Sequence, residues 1–228
     1  MFLGVGTAMS VQDYDGLAAD IVADKPIITI VSDHAPRFFV KLSSRSFRKY
    51  YNAMTKSLER LVPVCKGKKP LILVGAHSAS GQASIKALPD LVPQPDGYVG
   101  LDPFSINEKM TISPSIPTLE WGFAKTTCAV KIDQAAKAAY EISSKDHRVF
   151  YRIDNVSKEI AHCVFTDKGC AFICGKKEDG EWVRGAVAQS IHKFVQSIKS
   201  GLFYRKAEFS LPGVDSSLFS LFVNTDEV

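Results

Sequence analysis

The chain has 228 residues, of which 46% are hydrophobic and 23% charged, with a formal net charge of +4. That balance belongs to a folded globular protein and excludes a mostly disordered chain. No apolar run reaches the roughly 18 residues that a membrane helix needs, and Met1-Phe-Leu-Gly-Val-Gly6 lacks the basic region and cleavage site of a signal peptide.

In chain order, short apolar runs alternate with stretches of helical period. Phe2-Leu3 leads into a small-residue loop, Gly4 to Ser10, and Asp13 to Ala23 reads as a helix with Leu17, Ala18, Ile21 and Val22 on one face. Pro26 to Val31 is a strand ending in Ser32-Asp33-His34. Ser44 to Leu61 is a long amphipathic helix, apolar at Phe47, Tyr50, Tyr51, Met54, Leu58 and Leu61. Pro70-Leu-Ile-Leu-Val-Gly75 is the cleanest strand, followed by a turn at Ser78 and a helix from Gly81 to Leu88. Further strands are expected at Gly97–Leu101, Pro117–Trp121 and Arg148–Ile153, with helices at Asp133–Ser143 and Trp182–Ile198. Strands apolar on both faces and separated by helices indicate a mostly parallel sheet covered on both sides, an α/β fold. With no repeat or low-complexity linker, residues 1–228 read as a single domain, and 201–228 as an extension carrying an edge strand.

Lys and Arg cluster at Arg45–Lys49 and Lys66–Lys69. Phe47, Tyr50 and Tyr51 interleave with the first cluster at helical spacing, which suits packing, so no nucleic-acid partner is expected. The five cysteines, Cys65, Cys128, Cys163, Cys170 and Cys174, contain no Cys-x-x-Cys pair, so no structural metal site is expected. Cys170 and Cys174 lie in an apolar run, and Cys163 adjoins His162. Buried free thiols are the expectation, which suits a reducing intracellular compartment.

The chemistry centres on Gly75-Ala-His-Ser-Ala-Ser-Gly81. A serine hydroxyl is a poor nucleophile unless a base takes its proton and the turn exposes it. A sharp strand-to-helix turn achieves exposure, with small residues two positions either side of the serine letting strand and helix approach. Here those positions are Ala76 and Ser80 in place of the usual glycines. The alternative is a small-residue turn without chemistry.

Ala76-His-Ser-Ala-Ser-Gly81 resembles the G-H-S-x-G-G segment of the α/β-hydrolase superfamily, in its chlorophyllase and dienelactone-hydrolase-like branch. Phe2-Leu-Gly-Val-Gly6, followed by Gln12-Asp-Tyr-Asp-Gly-Leu-Ala18, resembles that family's oxyanion loop and the helix behind it. Ile27 to His34 is similar to the next strand. Gly100-Leu-Asp-Pro103 resembles the chlorophyllase G-I-D-P segment, Cys128-Ala-Val-Lys131 a C-A-P-K stretch, and Ala161 to Asp167 the late histidine segment. The likeness runs in order over most of residues 1 to 198, although no motif matches in full. It implies an α/β-hydrolase fold that begins at the family's third strand and has no large lid between Asp102 and Pro117.

Chain order in that fold is Ser, then Asp or Glu, then His. Of the histidines after Ser78, His192 falls inside the closing helix and His147 precedes a strand. His162 falls after the strand Arg148–Ile153, where the base belongs. For the acid, Gly122 to Cys128 contains no carboxylate, and Asp102 takes the position that the chlorophyllase likeness implies. Asp133, a helix start, is the alternative. One oxyanion donor is the Ala79 N–H; the second is expected from the loop at Gly6. The expected activity is hydrolysis of hydrophobic carboxylic esters, a chlorophyll-type ester among the candidates, without metal or cofactor. The competing reading is a hydrolase-like binding or scaffold protein that has lost activity. Neither GxGxxG nor GxxxxGK[ST] occurs, which disfavours a nucleotide-binding domain.

Overall fold

A computed structural model describes residues 1–6, 9–23, 25–32, 43–60, 70–104, 116–126, 133–155, 160–167, 180–202, 206–225 and 228. Seven strands form one sheet: β1 (Phe2–Gly4), β2 (Ile30–Ser32), β3 (Leu73–His77), β4 (Gly97–Leu101), β5 (Thr118–Phe123), β6 (Arg148–Ile153) and β7 (Phe219–Val223). Their order across the sheet is β2-β1-β3-β4-β5-β6-β7. All neighbours are parallel except β7, which runs antiparallel to β6 at one edge, within the segment where an edge strand was expected.

The helices are α1 (Asp15–Val22), α2 (Ser44–Glu59), α3 (Ser80–Ala87), α4 (Asp133–Ile142) and α5 (Gly180–Ser200). Alternation along the strands divides the interior into two layers. On one face, Leu3, Val99, Leu101, Leu119, Trp121, Val149 and Tyr151 pack with Leu17 and Ile21 of α1 and with Val183, Val187, Ile191 and Phe194 of α5. On the other, Phe2, Val74, Ala76 and Tyr98 pack with Phe47, Tyr51 and Met54 of α2, Ala83, Ile85 and Ala87 of α3, and Ala135 and Ala139 of α4. Burying each large apolar side chain contributes about 1.5–3 kcal/mol. The core of β3 to β6 therefore makes a stiff platform for the turns that follow the strands.

Local chemistry explains the element ends. Ser43 caps α2 by accepting the Ser46 N–H at 3.1 Å. Phe47 and Tyr51 face the core, so the aromatics among the basic residues of α2 serve packing. Trp121 stacks on Tyr151 with ring centroids 4.6 Å apart and donates to the Ser190 hydroxyl on α5 at 2.9 Å. The buried Arg148 guanidinium donates to the Glu141 and Thr225 carbonyls at 3.0 and 2.7 Å, tying β6 to the end of α4 and to the residues after β7. Among the described residues no helix is long and apolar enough to cross a membrane.

The expected loop between Asp102 and Pro117, the Asp33-His34 end of the second strand, the Lys66–Lys69 cluster and the Cys128–Lys131 stretch fall largely or wholly outside the described residues. Cys163 is disulfide-bonded, and the other four cysteines also lie outside the described residues. The free-thiol expectation is thus corrected at Cys163. Spacing along the chain carries no information on which thiols meet in space. The cysteine argument for a reducing compartment goes with it.

Candidate active site

Because β3, β4 and β6 are parallel, the segments leaving their C-terminal ends gather at one edge of the sheet, where sites form in α/β folds. Ser78 leaves β3, Asp102 leaves β4, and His162 lies in a 3-10 turn, His162–Phe165, after β6.

Ser78 has φ 54° and Asp102 φ 42°, both in the left-handed region that side chains other than glycine avoid. Such residues cost on the order of 1–3 kcal/mol each and persist where the surroundings hold them. The two turns hold each other. The Ser78 N–H donates to Leu101 O at 3.3 Å, the Phe104 N–H to Ser78 O at 2.7 Å, and the Gln82 N–H to Phe104 O at 3.1 Å. The start of α3 rests directly on the Asp102 turn: a Cβ at Gly81 would lie 2.5 Å from the Pro103 Cβ.

The missing glycines of the serine turn have a local explanation. Ala76 is buried, and Ser80 has a partner that makes room for it. A Cβ on Gly4, across on β1, would come within 2.8 Å of the Ser80 Cβ. The Ser80 hydroxyl donates to Val5 O, so its polarity is satisfied in the buried turn.

His162 and Asp102 meet directly. His162 Nδ1 lies 2.7 Å from Asp102 Oδ2, with the Asp102 side chain wholly buried and that of His162 at 7% exposure. A carboxylate facing Nδ1 places the proton there and leaves Nε2 to accept another. Burial drives the imidazole from its ordinary 6.5 down to about 3, so the ring is neutral at pH 7 and able to act as a base. Ser78 Oγ makes no hydrogen bond to His162 among the described residues. Such contacts are often open without substrate.

The other candidates fall elsewhere. His147 stands just before β6, at the opposite end of the strand from His162. His192 Nε2 contacts Ile21 O at 2.7 Å and joins α5 to α1, a packing role. Asp133 begins α4. At the N-cap of α3, the Ala79 N–H has no acceptor among the described residues. At Gly6, expected to give the second oxyanion donor, the N–H donates to the Tyr14 hydroxyl at 2.8 Å.

Two residues escaped the sequence reading. His77, read only as part of the serine turn, is fully buried between Tyr14 and His162. Glu120, inside the apolar run of β5, is also fully buried, and neither carboxyl oxygen has a hydrogen-bond partner. Its carboxyl occupies the space where a Cβ on Gly100 would stand. Burial first, and the nearby Asp102 second, push its pKa well above the usual carboxylate range and so favour the neutral acid. No group of three or more ligating side chains suited to a metal ion occurs among the described residues.

No family model matches the chain, and no curated protein matches it in sequence. Among solved structures it is similar to Est1E from Butyrivibrio proteoclasticus, with 9% identity and a TM-score of 0.53, over 86% of this chain and 88% of that one. It also matches the esterase domain of a Rhodothermus marinus protein, with 8% identity and a TM-score of 0.46, over 87% and 86%. The sheet order, its helical cover and the likeness to Est1E together identify the architecture: the chain has an α/β-hydrolase fold.

Proposed function

We propose that the chain is a serine hydrolase that cleaves carboxylic esters through Ser78, His162 and Asp102. The observation that carries this reading is the buried 2.7 Å contact between His162 Nδ1 and Asp102 Oδ2 beside the positive-φ turn of Ser78. In the reaction, His162 Nε2 takes the Ser78 proton as Oγ attacks the ester carbonyl. Asp102 holds the tautomer and stabilises the imidazolium that forms. The tetrahedral oxyanion collapses, the alcohol leaves with the proton from His162, and an acyl-serine remains. Water, deprotonated by His162, then releases the acid. Ala79 supplies one oxyanion donor, and the Gly6 N–H, which donates to the Tyr14 hydroxyl in the free site, is the second donor proposed.

That a solved structure of similar fold is called Est1E agrees with an ester substrate. Hydrophobic esters, including a chlorophyll-type ester, are the proposed class, and residues 1–228 the proposed single domain. Treatment with a fluorophosphonate probe tests the reading. Labelling that disappears in Ser78→Ala supports it, and folded wild-type protein left unlabelled sinks it. That second result would favour a hydrolase-like scaffold. Activity on p-nitrophenyl esters of rising acyl length reads the preference for apolar substrates.

A further inference from the structure

His77 sits between the two halves of the site. Its Nε2 lies 3.0 Å from the backbone carbonyl of His162, and its Nδ1 lies 2.6 Å from the Tyr14 hydroxyl. A carbonyl only accepts, so Nε2 carries the proton and Nδ1 is the acceptor. Tyr14 then donates to His77 and accepts the Gly6 N–H at 2.8 Å on the same oxygen. The rings of His77 and His162 lie 4.7 Å apart, and Phe165 closes on His77 from the same turn at 5.6 Å.

Every group in this chain is buried, so water cannot substitute for a lost partner. Burial, followed by the neighbouring His162, holds His77 well below the ordinary histidine range; burial holds Tyr14 well above the ordinary tyrosine range. Both therefore stay neutral. The Tyr14 hydroxyl also lies 3.1 Å from Met9 Sδ, a weak acceptor, so its single proton goes to the imidazole nitrogen at 2.6 Å. The backbone group that His77 engages in this turn is the carbonyl of His162 itself, the first residue of the turn.

We propose that His77, oriented by Tyr14, is a positioning residue for the base: its Nε2–H holds the His162 backbone at the height from which the imidazole meets Asp102. This rests on the serine-hydrolase reading for its catalytic meaning, but the hydrogen bond can be examined without turnover. Because Tyr14 also holds Gly6, one hydroxyl sets the loop after β1 and the base together.

The test compares His77→Leu, His77→Gln and Tyr14→Phe in the full chain, with folding checked by circular dichroism. A glutamine side-chain N–H can reach the carbonyl that Nε2 reaches; leucine cannot. His77→Leu is expected to lower kcat on a p-nitrophenyl ester by about 10²-fold with KM little changed. His77→Gln should recover most of that loss, and Tyr14→Phe should fall between. In parallel, the NMR resonance of the His162 Nδ1 proton facing Asp102 should shift and broaden in His77→Leu and return in His77→Gln. An unaltered resonance in folded His77→Leu, or no recovery with glutamine, overturns the proposal. Fluorophosphonate labelling of the wild type separately decides the parent reading, and the NMR comparison stands whichever way that falls.

Discussion

The carbonyl of Ser78 accepts the Phe104 N–H at 2.7 Å, two residues beyond Asp102. The Ser78 turn and the Asp102 turn are therefore one hydrogen-bonded body, and His162 is joined to it through Asp102. Asp102→Asn keeps the shape of this body while allowing the imidazole its wrong tautomer. It is expected to lower kcat by about 10³–10⁴-fold, the scale seen when serine triads lose their acid. Steady-state kinetics on a p-nitrophenyl ester checks this, and a loss below tenfold would move the acid elsewhere.

Stability should fall in acid, and the sign follows from two histidines. Unfolded, His77 and His162 take up protons below about 6.5; folded, burial keeps both neutral there. The unfolded chain then binds more protons, so their stabilisation is complete above pH 6.5 and is lost as pH falls toward 3. The slope is at most about 1.4 kcal/mol per pH unit for each histidine. Tm measured from pH 8 to 4 should decline below 6.5, and less steeply in His77→Gln.

Glu120 works in the opposite direction. Its folded pKa is raised, so between its ordinary value of 4.5 and that raised value the native state holds a proton that the unfolded chain has shed. Stability from this group is full below 4.5 and declines as pH rises. Glu120→Gln removes the ionisation without changing the shape. The variant should gain Tm over the wild type, and the gain should widen from pH 6 to 9. A constant difference across that range would show that Glu120 is charged already.

The disulfide at Cys163 follows His162 by one residue, in the turn that His162 begins. Reduction with a phosphine should destabilise the chain by about 2–5 kcal/mol and slow fluorophosphonate labelling. Peptide mapping without reductant would name the partner. Unchanged labelling after complete reduction would show that the turn is held by its other contacts, among them Asp167, which accepts the Gly16 N–H at 2.6 Å.

The sheet was legible because each strand of the core is mostly apolar and buried on both faces, as in Leu73–His77 and Thr118–Phe123. His162 was separable from His147 and His192 by asking which end of a parallel strand each adjoins. Asp102 needed the family likeness, since a carboxylate after a strand is common and its left-handed backbone is invisible in the sequence. The Tyr14–His77 bond, 63 residues apart along the chain, could not be read at all, because no local pattern encodes a contact made by folding. Glu120 was hidden for a related reason: an apolar run tolerates one neutral carboxyl, and only the open space at Gly100 shows where it goes.

The serine turn carries a wider lesson in Ser80 and Gly4. Their side chains draw on one shared volume, and the missing Cβ on β1 is what admits an extra hydroxymethyl at the start of α3. The requirement is therefore a sum over two segments distant in sequence, and glycine after the nucleophile is one way of meeting it. A chain that moves the small residue to the facing strand satisfies the same geometry while escaping any pattern written around the serine alone. Exchanging the pair, glycine at 80 with alanine at 4, should leave the turn's shape intact.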